Sequence, residues 1–240
     1  MEDRIHRVIV VGGGSAGWLA AALIAAEHRI DDDSERPFEL VLVESPDVPT
    51  IGVGEGTWPS MRSTLQRIGI TETEFIRECD ASFKQGTWFR NWRTGSGDTY
   101  SHPFTVPVDY ADINLAPHWL ALNDAPPFAD AVTPQTALFA DCLAPKQITT
   151  PEYAFVVNYG YHLDAGKFAE LLRRHCTGNL GVKHVAANVS RINAADNGDI
   201  RSVTTDRAGD IAGDLFIDCT GTKSLLLGEH FAVPFRSQQG

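Results

Sequence analysis

The chain has no apolar run approaching the roughly 20 residues of a membrane-spanning helix, so the sequence offers no candidate span. Basic charge is also short: 20 Lys and Arg stand against 31 Asp and Glu, a formal balance of −11. That balance argues against nucleic acid and anionic membrane as partners. Cysteine is sparse. The four residues Cys79, Cys142, Cys176 and Cys219 are scattered with no C-x-x-C spacing. Reduced thiols in a cytoplasmic protein are expected, with neither a disulfide framework nor a metal site. Apolar strand residues begin almost at Met1, which leaves no room for a signal peptide. No internal repeat or low-complexity linker divides the chain. What is present is an ordinary globular composition, 43% hydrophobic over 240 residues, room for one large domain or two small ones.

The stretch Arg7–Glu27, RVIVVGGGSAGWLAAALIAAE, organises the rest. Val8, Ile9, Val10 and Val11 suit a strand buried on both faces of a parallel sheet. Gly12, Gly14 and Gly17 follow in G-x-G-x-x-G spacing, and Ser15 to Ala26 read as a helix rich in Ala and Leu. In this pattern Gly12 permits the tight turn, Gly14 admits a pyrophosphate, and Gly17 lets helix and strand pack closely. Ser15 and Ala16 then open the helix whose unpaired N–H groups meet the phosphate. A second strand, Phe38–Val43, ends in Glu44, placed to accept from a ribose hydroxyl. The spacing from Gly14 to Glu44 is longer than the usual ~20 residues, and the acidic loop Asp31–Glu35 accounts for the excess. These features point to an adenine dinucleotide, against a plain βα turn that holds no ligand.

Further along, Thr50–Thr57 carries three glycines around Glu55, a loop able to press its backbone on a flat ligand or simply a flexible turn. Ser60–Ile68 reads as a helix, and Thr71 with Glu74 as a capping box for another helix ending near Cys79. Ala81–Trp92 reads as one strand, with alternation placing Lys84, Gly86, Trp88, Arg90 and Trp92 on one side. Lys84 on such a strand is either solvated or aimed at a site. Residues 100–151 are Pro- and aromatic-rich with little period, apart from short helices near Pro117–Asn123 and Gln135–Cys142; such a segment lines a site or forms a surface insertion. Asp164 caps an amphipathic helix with Phe168, Leu171 and Leu172 on its buried stripe. His162 and His175 are ligands, acid–base groups or structural residues. Val182–Ile192 is strand material, Asp196-Asn197-Gly198 and Arg207–Asp210 are turns of an antiparallel meander, and Asp214–Gly221 reads as a buried strand ending in Thr220-Gly221.

Taken together, VVGGGSAGWLAAA, TIGVGEGTWPS, ECDASFKQGTWFRNW, SHPF, YHLDAGKFAELLRRHC and DLFIDCTGTKSLLLGEHFAVPF resemble the flavin-dependent tryptophan halogenases. The resemblance runs from Val8 to about Phe235. It implies an α/β fold: a Rossmann-like FAD-binding domain with a parallel sheet, a small antiparallel β-meander, and an irregular, partly helical insertion on the substrate side. One domain over 1–240 is expected, with FAD-binding segments 5–60 and 155–235 and an insertion at 50–154. By the resemblance, Gly12, Gly14, Ser15, Ala16, Gly17 and Glu44 would bind the ADP part of FAD. Ile51, Gly52, Val53, Gly54, Glu55, Gly56 and Thr57 would form the strap beside the flavin ring, with Thr220 and Gly221 also on the cofactor. Glu55 would shape the strap rather than move protons. Lys84 matches the lysine that receives hypohalous acid, while His102 and Phe104 match an H-x-F pair lining the aromatic-substrate pocket.

The implied activity uses FADH2 from a separate flavin reductase, O2, and chloride or bromide to halogenate an electron-rich aromatic such as an indole. Two departures accompany it. The family strap usually has Ala at the position of Gly56, a small-for-small change expected to be minor. The family's W-x-W-x-I-P signature and its catalytic glutamate would lie beyond Gly240, so the chain reads as a fragment or a truncation. Two other readings stand beside the halogenase: another FAD monooxygenase or oxidoreductase on this fold, and a flavin-binding remnant without turnover.

Overall fold

Val8, Ile9, Val10 and Val11 are each 3% exposed or less, as four β-branched residues between neighbouring strands require. The computed structural model describes residues 4–28, 37–49 and 55–238. In chain order its strands are β1 (Arg7–Val11), β2 (Glu39–Glu44), β3 (Glu55–Gly56), β4 (Ser82–Lys84), β5 (Gly86–Arg90), β6 (Thr99–Pro103), β7 (Gly160–Leu163), β8 (Lys183–Ala186), β9 (Val189–Ala194), β10 (Ile200–Thr205), β11 (Gly209–Ala212) and β12 (Leu215–Asp218). The helices are α1 (Ser15–Glu27), α2 (Ser60–Ile68), α3 (Glu72–Glu78), α4 (Ala116–Leu120), α5 (Phe128–Val132), α6 (Gln135–Ala140) and α7 (Ala165–Gly178). Residues 1–53, 67–70 and 165–240 gather into one unit, and 54–66 with 71–164 into another.

The first unit is built on a parallel sheet in the order β12-β1-β2-β8. Its strands pair in regular register, Val8 with Leu215 and Leu40, Val11 with Asp218 and Val43. β1, α1 and β2 form a βαβ unit. Trp18, Ala21, Ala22 and Ala25 make the buried stripe of α1, and α1 packs against α7, whose buried residues include Phe168, Leu171 and Leu172. On the other face of the sheet Ile9, Val11, Val41 and Val43 meet Val203 and Ile211 of the β11-β10-β9 meander, with Leu226. His175 is structural: Nε2 donates to the Ile68 carbonyl at 2.7 Å and Nδ1 accepts from Asn179 at 3.0 Å. The strand material of Val182–Ile192 belongs to two strands, β8 and β9. β8 pairs with β2 in the parallel sheet, whereas β9 pairs with β10. The break comes where the Ala187 amide donates to the Glu44 carbonyl and Asn188 turns to Asp206. β12 is an edge strand among the described residues, with Leu215 44% exposed, not the buried strand expected.

The second unit holds a small sheet in the order β3-β7-β4 and the β5-β6 ribbon. Here the expected single strand over 81–92 divides at Gln85. That residue is buried; its carbonyl accepts from the Phe104 amide at 3.0 Å and its Nε2 donates to the Leu143 carbonyl at 2.7 Å. With Gln85 held from both sides, β4 pairs with β7 and β5 pairs with β6. Lys84 therefore does not share a strand face with Trp88. α3 begins as expected, with Thr71 Oγ1 accepting from the Glu74 amide at 3.2 Å. α5, which follows Pro126-Pro127, is too short to show a period, and the sequence does not announce it. Among the described residues no helix is long and apolar enough to cross a membrane.

Candidate functional site

The glycine turn lies at the carboxyl end of the parallel sheet, where open α/β folds place their ligands. Gly12 has φ +114°, and a Cβ there would collide with the Cys219 carbonyl; a Cβ on Gly17 would collide with the carbonyl of Gly12. These two glycines close-pack the turn. Gly14 differs, because a Cβ on it would meet nothing within 4 Å among the described residues. It stands at the start of α1, where among the described residues no side chain caps the helix and no acidic residue occupies the first turn. An open, uncapped helix start next to Ser15 and Ala16 fits a phosphate group. The chain thus has the donors and the space that the adenine-dinucleotide reading requires.

Glu44 sits beside this turn. Its carboxyl lies over Gly13, where any Cβ would strike it, and Oε2 is 2.8 Å from Nε2 of His184. Thr220 and Gly221 follow β12, next to the first glycine turn. Asp218 fixes them: its carboxylate accepts from the Thr220 amide and hydroxyl at 3.1 and 2.6 Å, and from the Leu226 and Leu227 amides at 2.9 and 3.0 Å. Burial pushes the Asp218 carboxyl up, but these donors outweigh it and hold it below its ordinary range. Ile51, Gly52, Val53 and Gly54, together with Thr50, lie outside the described residues.

The remaining predicted residues meet in the second unit. Pairing of Lys84 with Gly160, of Ser82 with His162, and of Gly56 with His162 puts these five on one face of the β3-β7-β4 sheet. Gly160 has no side chain, so Lys84 can cross β7 toward β3. A Cβ on Gly56 would sit 2.9 Å from Lys84 Nζ and 3.4 Å from His162 Nδ1. A methyl group at position 56 would thus meet the far end of the flexible Lys84 side chain, which can shift slightly to admit it. Glu55 pairs with Leu163 and so falls on the opposite sheet face. Thr57 extends β3: its amide donates to the Tyr161 carbonyl at 2.8 Å and its Oγ1 accepts from the Tyr161 amide at 2.9 Å.

Nζ of Lys84 lies 5.5 Å from the ring centre of Phe104 and 5.8 Å from that of Trp58, within cation–π range. The two rings tilt against each other at 5.5 Å. Both line a cavity of about 580 Å³, whose wall also includes His102, Tyr100, Tyr110 and Phe128. His102 and Phe104 therefore share one aromatic, proline-rich wall. Among the described residues no carboxylate lines it, and a wall of that kind suits a neutral ring. The sequence does not single out Trp58 as a site residue, although its place directly after the strap is a signal that points there.

Behind Lys84, the opposite face of the same small sheet rests on a buried carboxylate. Glu72 Oε1 accepts from the hydroxyls of Tyr159 and Tyr161 at 2.6 and 2.7 Å, and Oε2 accepts from Lys146 Nζ at 2.7 Å and the Tyr153 amide at 2.9 Å. The side chains of Lys146 and Glu72 are only 9% and 5% exposed. Arg62 braces the same group, with its guanidinium 4.6 Å from the centre of the Tyr159 ring. Burial pushes the Glu72 carboxyl up, yet the four donors prevail and hold it below its ordinary range; burial raises both tyrosines. Because the folded-state pKa is depressed, the stabilisation is complete above the unfolded value near ~4.3 and fades as pH falls through the folded one. Glu72→Ala leaves a buried ammonium and two hydroxyls without their partner. It is expected to destabilise the protein by about 3–5 kcal/mol in denaturant titrations. Glu72→Gln should flatten the acid limb of the stability–pH curve.

With this geometry in view, the class is plain: the chain belongs to the tryptophan halogenase family, whose sequence profile matches residues 7–240. A tryptophan halogenase from Shewanella frigidimarina NCIMB 400 superposes with a TM-score of 0.93 at 53% identity, covering 98% of this chain and 46% of that one. Tar14, a tryptophan C-6 flavin-dependent halogenase (chlorinase) from taromycin biosynthesis, gives a TM-score of 0.86 at 32% identity, with 98% and 47% covered. The tryptophan 7-halogenase RebH of Lentzea aerocolonigenes is 32% identical over 98% of this chain and 46% of its own length. The chain thus spans about half the length of the relatives it matches.

Proposed function

We propose that the protein halogenates an electron-rich aromatic, tryptophan or another indole, using FADH2 from a separate reductase, O2, and chloride or bromide. Gly12, Gly14, Gly17 and Glu44 hold the ADP part of FAD, with Thr220 and Gly221 beside them, and residues 51–57 are the strap along the ring. When bound, the reduced flavin supplies the two electrons with which O2 and halide become hypohalous acid and water. Lys84 then holds that acid by donating from Nζ to its oxygen, or as free amine takes the halogen and releases water. The substrate ring lies against His102 and Phe104, accepts the halogen at carbon, and loses a proton to regain aromaticity. Aromatic and proline side chains exclude water, which keeps the oxidant from escaping.

The observation that carries this reading is the amine of Lys84 set against Phe104 and Trp58, two rings of the cavity wall. The test supplies the full chain with FAD, a flavin reductase, NADH, air and tryptophan or indole, in chloride or in bromide. The expected product carries the isotope doublet of whichever halide was present. A hydroxylated product that forms equally without halide overturns the proposal.

A further inference from the structure

We infer that His184 is a positioning residue that holds Glu44 in place for the ribose of the adenine dinucleotide, an inference that rests on the flavin reading above. The β2–β8 register pairs Leu42 with His184 and Glu44 with Ala186, so Glu44 and His184 lie on one face of adjacent parallel strands. The His184 ring meets fully buried Trp18 edge-on at 5.2 Å. Trp18 directly follows Gly17, so the ring is braced by the helix that the glycine turn starts. His184 Nε2 is buried and makes no aligned hydrogen bond among the described residues. The acceptor beside it is Oε2 of Glu44, 2.8 Å away. Buried ring nitrogens are ordinarily satisfied, and a small swing of the carboxylate would align this one. The backbone of Glu44 is already pinned, its carbonyl accepting from the Ala187 amide at 2.9 Å.

Arg173 also feels the charge of Glu44, but its guanidinium is engaged by Glu170 at 2.6 and 2.9 Å. Among the described residues that leaves His184 as the group that sets where the carboxylate points. Without it, the described residues around Glu44 are Gly13 beneath it and Arg173, which is already engaged by Glu170. The Glu44–ribose hydrogen bond would then form at the cost of ordering a long side chain.

The test is a double-mutant cycle read by FAD titration of the full chain, following flavin fluorescence. Glu44→Ala should weaken FAD binding roughly 10- to 100-fold, as loss of a charge-assisted hydrogen bond does. His184→Phe keeps the ring against Trp18 but removes the nitrogen, and should weaken binding about 5- to 10-fold. His184→Gln, whose Nε2 reaches a similar point, should bind within about twofold of the parent. In the Glu44→Ala background His184→Phe should have no further effect, because there is no carboxylate left to aim. Where His184→Phe fails to fold by circular dichroism, His184→Leu takes its place in the cycle. An unchanged Kd for His184→Phe, an equal loss for His184→Gln, or full additivity with Glu44→Ala overturns the positioning role and leaves the flavin reading intact. A parent chain that binds no FAD overturns both.

Discussion

Gly14→Val should fold like the parent and fail to bind FAD, whereas Gly17→Val should fail to fold well. The contrast follows from where each Cβ would go. Gly14 has φ −72° and ψ −179°, an extended conformation open to any residue, and no atom of the described residues lies within 4 Å of its Cβ position. Valine there costs the folded protein little. It does place a branched side chain at the uncapped start of α1, in the space reserved for a pyrophosphate. FAD affinity should fall at least about 100-fold, roughly 3 kcal/mol of binding. At Gly17 the Cβ would run into the Gly12 carbonyl, so α1 must move away from β1. Overpacking of this kind costs about 1–3 kcal/mol, more where backbone must shift. Thermal melts with flavin titration separate the two. Unchanged FAD affinity in Gly14→Val would remove the glycine turn from the cofactor site.

Elements whose pattern is local are legible in the amino-acid sequence. β1 and β2 announce themselves as unbroken apolar runs, and α2 spans Ser60–Ile68 as its flanking Pro59 and Gly69 imply. The meander follows from its turns, with Gly198 at φ +88° and Gly209 at φ +68°. What cannot be read there depends on partners far away in the chain. The strand over 81–92 looks continuous because its alternation is continuous. It divides only because Gln85 is gripped by Leu143 and Phe104. The same holds for residues 182–192, where neither half carries a sign of which sheet it joins.

The site divides in the same manner. Gly12, Gly14 and Gly17 are a motif, and a motif can be read. The course of Lys84 across Gly160 to Gly56 depends on the strand order β3-β7-β4, which joins three separate segments. Spacing within one strand cannot reveal that. Glu72 looks like one of two acidic residues in the first turn of a capped helix. One signal points further: Tyr159 and Tyr161, two apart on an extended segment, direct both hydroxyls the same way, and two buried hydroxyls demand a shared acceptor. His184 carries no such mark, because its partner Glu44 is 140 positions away in sequence.

Lys84→Met should leave flavin chemistry running and end halogen transfer. Methionine keeps an unbranched side chain able to cross Gly160 and rest against Trp58 and Phe104, but it removes the amine. The ADP site lies in the first unit and Lys84 in the second, so FAD affinity should stay within about twofold of the parent. Oxygen uptake with reductase and NADH should continue, its product leaving as peroxide or free hypohalous acid. Halogenated aromatic should fall roughly a thousandfold or more, the scale on which loss of a reacting nucleophile is felt. Delivery of the halogen by the Lys84 amine is the step on which the proposed function turns. Its most direct measurement is halogenated indole formed per O2 consumed, by mass spectrometry and an oxygen electrode on the same sample. A ratio near zero is expected for Lys84→Met, beside undiminished oxygen uptake. A ratio matching that of the parent would contradict delivery by the amine.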